Sequence, residues 1–309
     1  MHAECIKRYS APMHRRTHFD WKLRTRSLAL GSSTRVMGIL NITPDSFSDG
    51  GRLQSVKEAV DAALAMFADG AAIVDIGGES TRPGAAGELS TQQEIDRVLP
   101  VIEGILQTQP GAILSIDTYR AATARAALQA GVEIVNDVSG FLWDDAMAAT
   151  CAAEPCGVIL MHARGRPIEW KSLPRLAPEE VVPLVKRDLA QRLHAATKAG
   201  VARERIVLDP GFGFGKKQDA NYPLLMGVPE LSTLGQPLLA GISRKSFLGH
   251  TLLPLYGPAG APVSAREHAT LAASTIAILM GASLIRVHQV RPAVEAALIA
   301  DAALAFSVS

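Results

Sequence analysis

The segment Ala112-Ile113-Leu114-Ser115-Ile116-Asp117, followed after an alanine-rich stretch by Val132-Glu133-Ile134-Val135-Asn136, sets a pattern that recurs along the whole chain. Each half is a short apolar run, of a length and composition suited to a strand buried on both faces. Each ends in a side chain that can hydrogen-bond a ligand. Similar runs occur at 36–40, 72–76, 157–161, 206–208, 237–242 and 283–287. Helical periodicity lies between most of them. Val56, Val60, Ala63, Leu64 and Phe67 share one face, as do Ile95, Val98, Leu99 and Ile102 behind a capping box at Ser90 and Gln93.

Strands that alternate with helices imply a parallel sheet, and eight such units in about this length are what a (β/α)8 TIM barrel requires. An open doubly wound sheet would usually carry a glycine fingerprint after its first strand, and none stands there. Polar residues fall just past the runs: Asn41, Glu79 to Arg82, Asp117, Asn136, His162, Asp209, Ser243 to Lys245, and Arg286 with His288. In a barrel those ends meet on one face and ring a single site. Alternation of apolar and charged residues around Trp21 to Leu30 predicts an N-terminal β-hairpin that caps the barrel bottom. The expected organisation is a basic, disordered tail over 1–18 and one barrel domain over 19–309.

The 309 residues include 48% apolar and 20% charged side chains, enough for a large core. A net charge of +1 and 5% aromatic residues supply neither a basic stripe nor a stacking platform for nucleic acid. The longest uncharged run, 269–285, is short for a membrane span and reads as a buried helix followed by a buried strand. Cys5, Cys151 and Cys156 lack the spacing of a metal site. Without an apolar signal stretch they read as reduced thiols in a cytoplasmic protein.

Asp117 and Asp209 with the amide Asn136 suit a flat heterocycle that presents several N–H donors, since a carboxylate accepts two parallel hydrogen bonds. An Asp before Thr118 could instead only cap the next helix. Arg82, Lys245, Arg286 and His288 at neighbouring strand ends suggest a phosphate or diphosphate site, although any one alone would read as a surface group. The turn Asp209-Pro210-Gly211-Phe212-Gly213-Phe214-Gly215-Lys216 lets backbone approach a ligand closely, and it does not match a phosphate-binding Walker loop.

Taken in order, these motifs resemble the dihydropteroate synthase family. They are Asn41 to Gly51, Ile76 to Gly84, Ser115 to Thr118, Val135 to Gly140, Met161-His162, Asp209 to Lys216, Ser243 to Lys245 and Arg286 to His288. The resemblance implies a transferase of folate biosynthesis. It would condense 6-hydroxymethyl-7,8-dihydropterin diphosphate with 4-aminobenzoate, with Mg2+ as cofactor, in a homodimer. By the same resemblance Asp117, Asn136, Asp209 and Lys245 hold the pterin, with Arg286 lying against its face and Met161 beside it. Asn41, Arg82, Arg286 and His288 hold the diphosphate, and Asn41 also serves the magnesium ion. Thr81, Pro83, Phe214, Lys216 and Ser243 shape the aminobenzoate pocket, while Asp117, Lys245, Arg286 and His288 carry the chemistry. Gln289 replaces the family's usual Asp after His288, and Ala163 and Arg166 also depart from the pattern. Two other readings are a folate-dependent methyltransferase domain, which would not need the diphosphate-binding arginines, and a non-catalytic pterin-binding paralogue.

Overall fold

A computed structural model describes residues 16–42, 51–79 and 89–306, with the backbone alone for 51–54. The chain opens with the antiparallel pair β1 (Phe19–Lys22) and β2 (Ser27–Leu30). Eight strands follow: β3 (Arg35–Asn41), β4 (Ile73–Gly77), β5 (Leu114–Asp117), β6 (Ile134–Asp137), β7 (Gly157–Met161), β8 (Ile206–Asp209), β9 (Leu239–Ala240) and β10 (Leu284–Val287). They pair in parallel in the order β8-β7-β6-β5-β4-β3-β10-β9. A single parallel bridge between Leu208 and Leu238 joins the two ends, so the eight expected runs form the expected barrel. The run at 237–242 yields only a two-residue strand, because Pro237 has no N–H for the ladder and Gly241 has no side chain to pack.

Helices cover the outside, among them α1 (Gly51–Ala68), α2 (Thr91–Thr108), α3 (Ala121–Gln129), α4 (Met147–Ala153) and α5 (Pro178–Lys198). The Ser90–Gln93 capping box starts α2 as its sequence requires. After β8 come the short helices α6 (Asn221–Met226) and α7 (Val228–Ser232), and after β9 α8 (Ser246–Thr251) and α9 (Leu253–Tyr256). The uncharged run at 269–285 falls within α10 (Glu267–Leu279) and the start of β10, and α11 (Val290–Phe306) ends the fold. Among the described residues no helix is long and apolar enough to cross a membrane.

Strand alternation divides the core in two. Val74, Ile76, Leu114, Ile116, Val135, Val158, Leu160 and Leu208 face the helices. Ile73, Ile134, Ile159, Val207, Leu239 and Leu284 face the barrel axis. Trp21, Leu23 and Leu30 of the hairpin region pack on that inner set and close the bottom. Trp21 is 1% exposed, and its indole Nε1 donates to the Arg205 carbonyl at 2.7 Å. Trp21→Ala is therefore expected to remove about 3–5 kcal/mol of unfolding free energy in a denaturant titration. At a temperature where the variant stays folded, kcat/KM should hold within about twofold, since the site lies at the other end of the strands.

The described chain begins at Arg16, inside the stretch expected to be tail. Arg16 is tied down there, pairing with Asp301 at 2.5 Å and donating to Thr34 Oγ1 at 2.7 Å. The rest of that tail, residues 1–15, lies outside the described residues.

Candidate active site

The inward parity that buries Ile73 at the bottom of β4 places Asp75 in mid-barrel and Gly77 at the mouth. Gly77 stands in register between Asn41 and Asp117. A Cβ there would sit 3.6 Å from both the Asn41 amide oxygen and the Asp117 Cβ, so its absence keeps the space between them open. Asp117 neighbours Asn136 on β6 in turn. From β10, Arg286 crosses the axis: its Nε donates to Asp75 Oδ2 and its Nη2 to Asp117 Oδ2, both at 2.6 Å. Asn136 Nδ2 donates to the same Asp75 oxygen at 2.9 Å.

Above this network opens a cavity of about 320 Å³. Of the residues singled out from sequence, Asn41, Glu79, Asp117, Asn136, Met161, Asp209, Phe214, Ser243, Arg244, Lys245, Arg286 and His288 line it. Burial raises the Asp117 carboxyl to about 7 against the pull of Arg286, with Asp75 adding to the rise. Burial likewise raises Asp209 to about 6, although its carboxylate accepts the Gly211 N–H at 2.7 Å. Both acids are strong acceptors that lack full compensation until a ligand brings N–H donors.

The glycine-rich turn after β8 forms the side wall. Gly211 has φ +67°, and a Cβ there would lie 1.9 Å from the His162 carbonyl oxygen, so only glycine fits. The turn carries Phe214, which meets Trp170 edge-on at 5.2 Å and lies under the Lys245 ammonium, 3.9 Å from the ring centroid. Nothing in the sequence singles out Trp170, because it stands in an irregular segment with no strand-end address.

Two residues singled out from sequence are not brought to the cavity wall. Lys216 is 3% exposed, and its ammonium donates to His162 Nδ1 at 2.9 Å and to the Phe214 and His162 carbonyls at 3.0 and 3.3 Å. It braces the turn from behind. His162 follows inward-facing Met161 and so points outward, where Asp188 of α5 meets its Nε2 at 3.2 Å. Burial, then the neighbouring Lys216, lowers His162 to about 4, and burial lowers Lys216 to about 7. The imidazole is thus neutral and bonded on both nitrogens.

The opposite wall is cationic, with Arg244, Lys245, Arg266, Arg286 and His288 all on the cavity. Arg244 has φ +58°, an uncommon conformation for a side-chain-bearing residue. It is held by Thr270 Oγ1 on its N–H and by Glu267 on its guanidinium. Ser243 Oγ accepts the His288 backbone N–H at 3.3 Å and lies 2.8 Å from His288 Nδ1. Ser243 thus holds His288 by both its backbone and its ring, without an acid at position 289.

Thr81, Arg82 and Pro83, and residues 43–50 of the motif that starts at Asn41, lie outside the described residues. Arg120 pairs with Glu79 at 2.6 Å and donates to the Leu89 carbonyl at 2.8 Å, so one side chain ties the segment after β4 to the residue before the α2 cap. Among the described residues no cluster of three or more His, Cys, Asp or Glu side chains could hold a metal by itself.

Known proteins with this pattern agree on one family. The pterin-binding enzyme family matches residues 37–288. Dihydropteroate synthase from Mycobacterium leprae is 46% identical over 264 residues, covering 85% of this chain and 90% of that protein. Among solved structures, Xanthomonas albilineans dihydropteroate synthase with 4-aminobenzoic acid superposes with a TM-score of 0.82. It is 39% identical and covers 94% of this chain and 99% of that one. The Yersinia pestis enzyme in a sulfonamide drug complex gives a TM-score of 0.83, 38% identity, and coverage of 94% and 100%. A folate synthesis bifunctional protein of Arabidopsis thaliana is 40% identical, but its matched part is 56% of its length, so the chain corresponds to about half of that protein. By sequence and by structure alike, the chain belongs to the dihydropteroate synthase family of pterin-binding enzymes.

Proposed function

We propose that the protein condenses 6-hydroxymethyl-7,8-dihydropterin diphosphate with 4-aminobenzoate, giving 7,8-dihydropteroate and diphosphate. The observation that carries this reading is the division of one cavity into an acid and amide floor and a cationic wall. Asp117, Asn136 and Asp209 suit the N–H donors of the pterin ring, with Lys245 and Met161 beside it. Arg286 and His288, with Arg82, suit the diphosphate. Phe214 and Ser243, with Thr81 and Pro83, would shape the arylamine pocket, and Lys216 supports that wall from behind.

An arylamine is a weak nucleophile, so the barrier depends most on departure of the diphosphate. The bond from the pterin methylene to the diphosphate oxygen breaks, the amine nitrogen bonds to that carbon, and the amine loses a proton to solvent. Cationic side chains stabilise the leaving charge, while Asp117 faces the positive charge that grows on the pterin methylene. Asn41 is an oxygen donor at the end of β3, exposed on the cavity. A lone amide suits Mg2+, which keeps most of its water and is usually completed by substrate phosphate oxygens. Bound there, the ion would neutralise developing charge on the diphosphate.

A homodimer is part of this reading. It draws support from Leu298, Ile299 and Phe306, large apolar side chains exposed on α11. A reducing, cytoplasmic setting agrees with the buried free thiols Cys151 and Cys156.

The direct test is diphosphate release by the purified protein. Release is expected only when the pterin diphosphate, 4-aminobenzoate and Mg2+ are all present. Tight pterin binding with no turnover would point instead to a non-catalytic paralogue.

A further inference from the structure

Asp75 stands below the cavity, wholly shielded from solvent and off its lining. One of its oxygens, Oδ2, accepts from Arg286 Nε and from Asn136 Nδ2. The other, Oδ1, is buried with no partner, and so is the hydroxyl of Ser115, its register neighbour on β5. A buried carboxylate with half its acceptor capacity unmet is a poor device for stability, because desolvation outweighs what one bonded oxygen returns. What it does supply is direction, since both of its donors belong to the cavity floor.

We propose that Asp75 is the positioning residue of the ring-binding floor, fixing the amide of Asn136 and the guanidinium of Arg286 so that a bound heterocycle meets one defined hydrogen-bond polarity. The inference rests on the pterin reading of the site. A carboxylate repels an amide oxygen, so Asn136 must turn Nδ2 toward Asp75, and its Oδ1 is thereby kept for ligand donors. Arg286 is held to Asp75 through Nε and to Asp117 through Nη2. The first acid is out of solvent and the second, 13% exposed, faces the cavity. Asp117 can therefore turn to a ligand while Asp75 keeps the guanidinium in place.

Asp75→Asn tests this, because an amide keeps the shape and an acceptor but loses the charge and can present its NH2 group in either direction. The dissociation constant of 6-hydroxymethylpterin, a ring without the diphosphate, should rise about tenfold in the variant by calorimetry. The Michaelis constant for the arylamine substrate should stay within about twofold, and the melting temperature within about 3 °C, as a merely structural role would not allow. Asp75→Ser, smaller and still an acceptor, should give the same split, and it serves if the asparagine variant does not fold. Unchanged ring affinity would overturn the assignment, as would losses shared equally by both substrates with a fall in melting temperature. Failure of the wild-type protein to bind the ring would instead sink the proposed function, so the two ideas fail separately.

Discussion

Asp117→Asn is expected to lower kcat/KM about a thousandfold while leaving the melting temperature at neutral pH unchanged or higher. The loss of rate follows from the proposed chemistry. A full negative charge at the mouth of β5 answers the positive charge that develops on the pterin methylene, and an amide dipole answers it weakly. The gain in stability follows from burial. The folded carboxyl sits at about 7 against the ordinary 3.8, raised by burial more than Arg286 lowers it. A raised carboxyl contributes stability that is fully present below pH 3.8 and is lost as pH climbs through about 7. Asparagine does not titrate, so the variant should gain on the wild type as pH rises across that window. Parallel falls in activity and melting temperature would falsify the catalytic assignment and make Asp117 a structural acid.

The order of elements was readable because each strand here is a short run with helical periodicity beside it, and because β-branched and aliphatic residues have no other use in such runs. The hairpin was readable from its alternation, and α2 from its capping box. Several strands end a residue or two past their apolar runs, since Asn41, Asp117 and Asp209 belong to the strands they end, whereas β7 stops at Met161 before His162. Within the site, strand-end position found the right address but not the direction of each side chain. His162 and Asp137 follow inward-facing Met161 and Asn136 and therefore point away. Asp137 spends its carboxylate on the Ser139 and Phe141 N–H groups of the following turn. Lys216 ends a glycine turn whose conformation, set by three positive-φ glycines, is not written in any periodicity. Asp75 was hidden for the opposite reason, since an acid in the middle of an apolar run looks like an interruption until its inward parity and its two partners are seen.

Arg286→Gln should be the more damaging change, with kcat/KM reduced by about a thousandfold or more and stability reduced as well. Among the described residues the guanidinium is the one group that hydrogen-bonds to both Asp75 and Asp117, each at 2.6 Å. Its removal leaves two acids at the barrel axis without their cation, for which about 3–5 kcal/mol of unfolding free energy is expected at pH 8. Without the cation the Asp117 carboxyl loses the group that pulls it down and rises further above its unfolded value. The stability it contributes is then present in acid and lost as pH rises, so the deficit should shrink when unfolding is measured near pH 5. The neighbouring variants thus have opposite signatures, one relieved and one harmed at high pH. Combining them sharpens the point: Asp117→Asn should restore part of the stability lost in Arg286→Gln, because it removes one of the two stranded charges. Additive losses in the double variant would mean that the acids do not repel each other across the axis, and that Arg286 is held for packing rather than for charge.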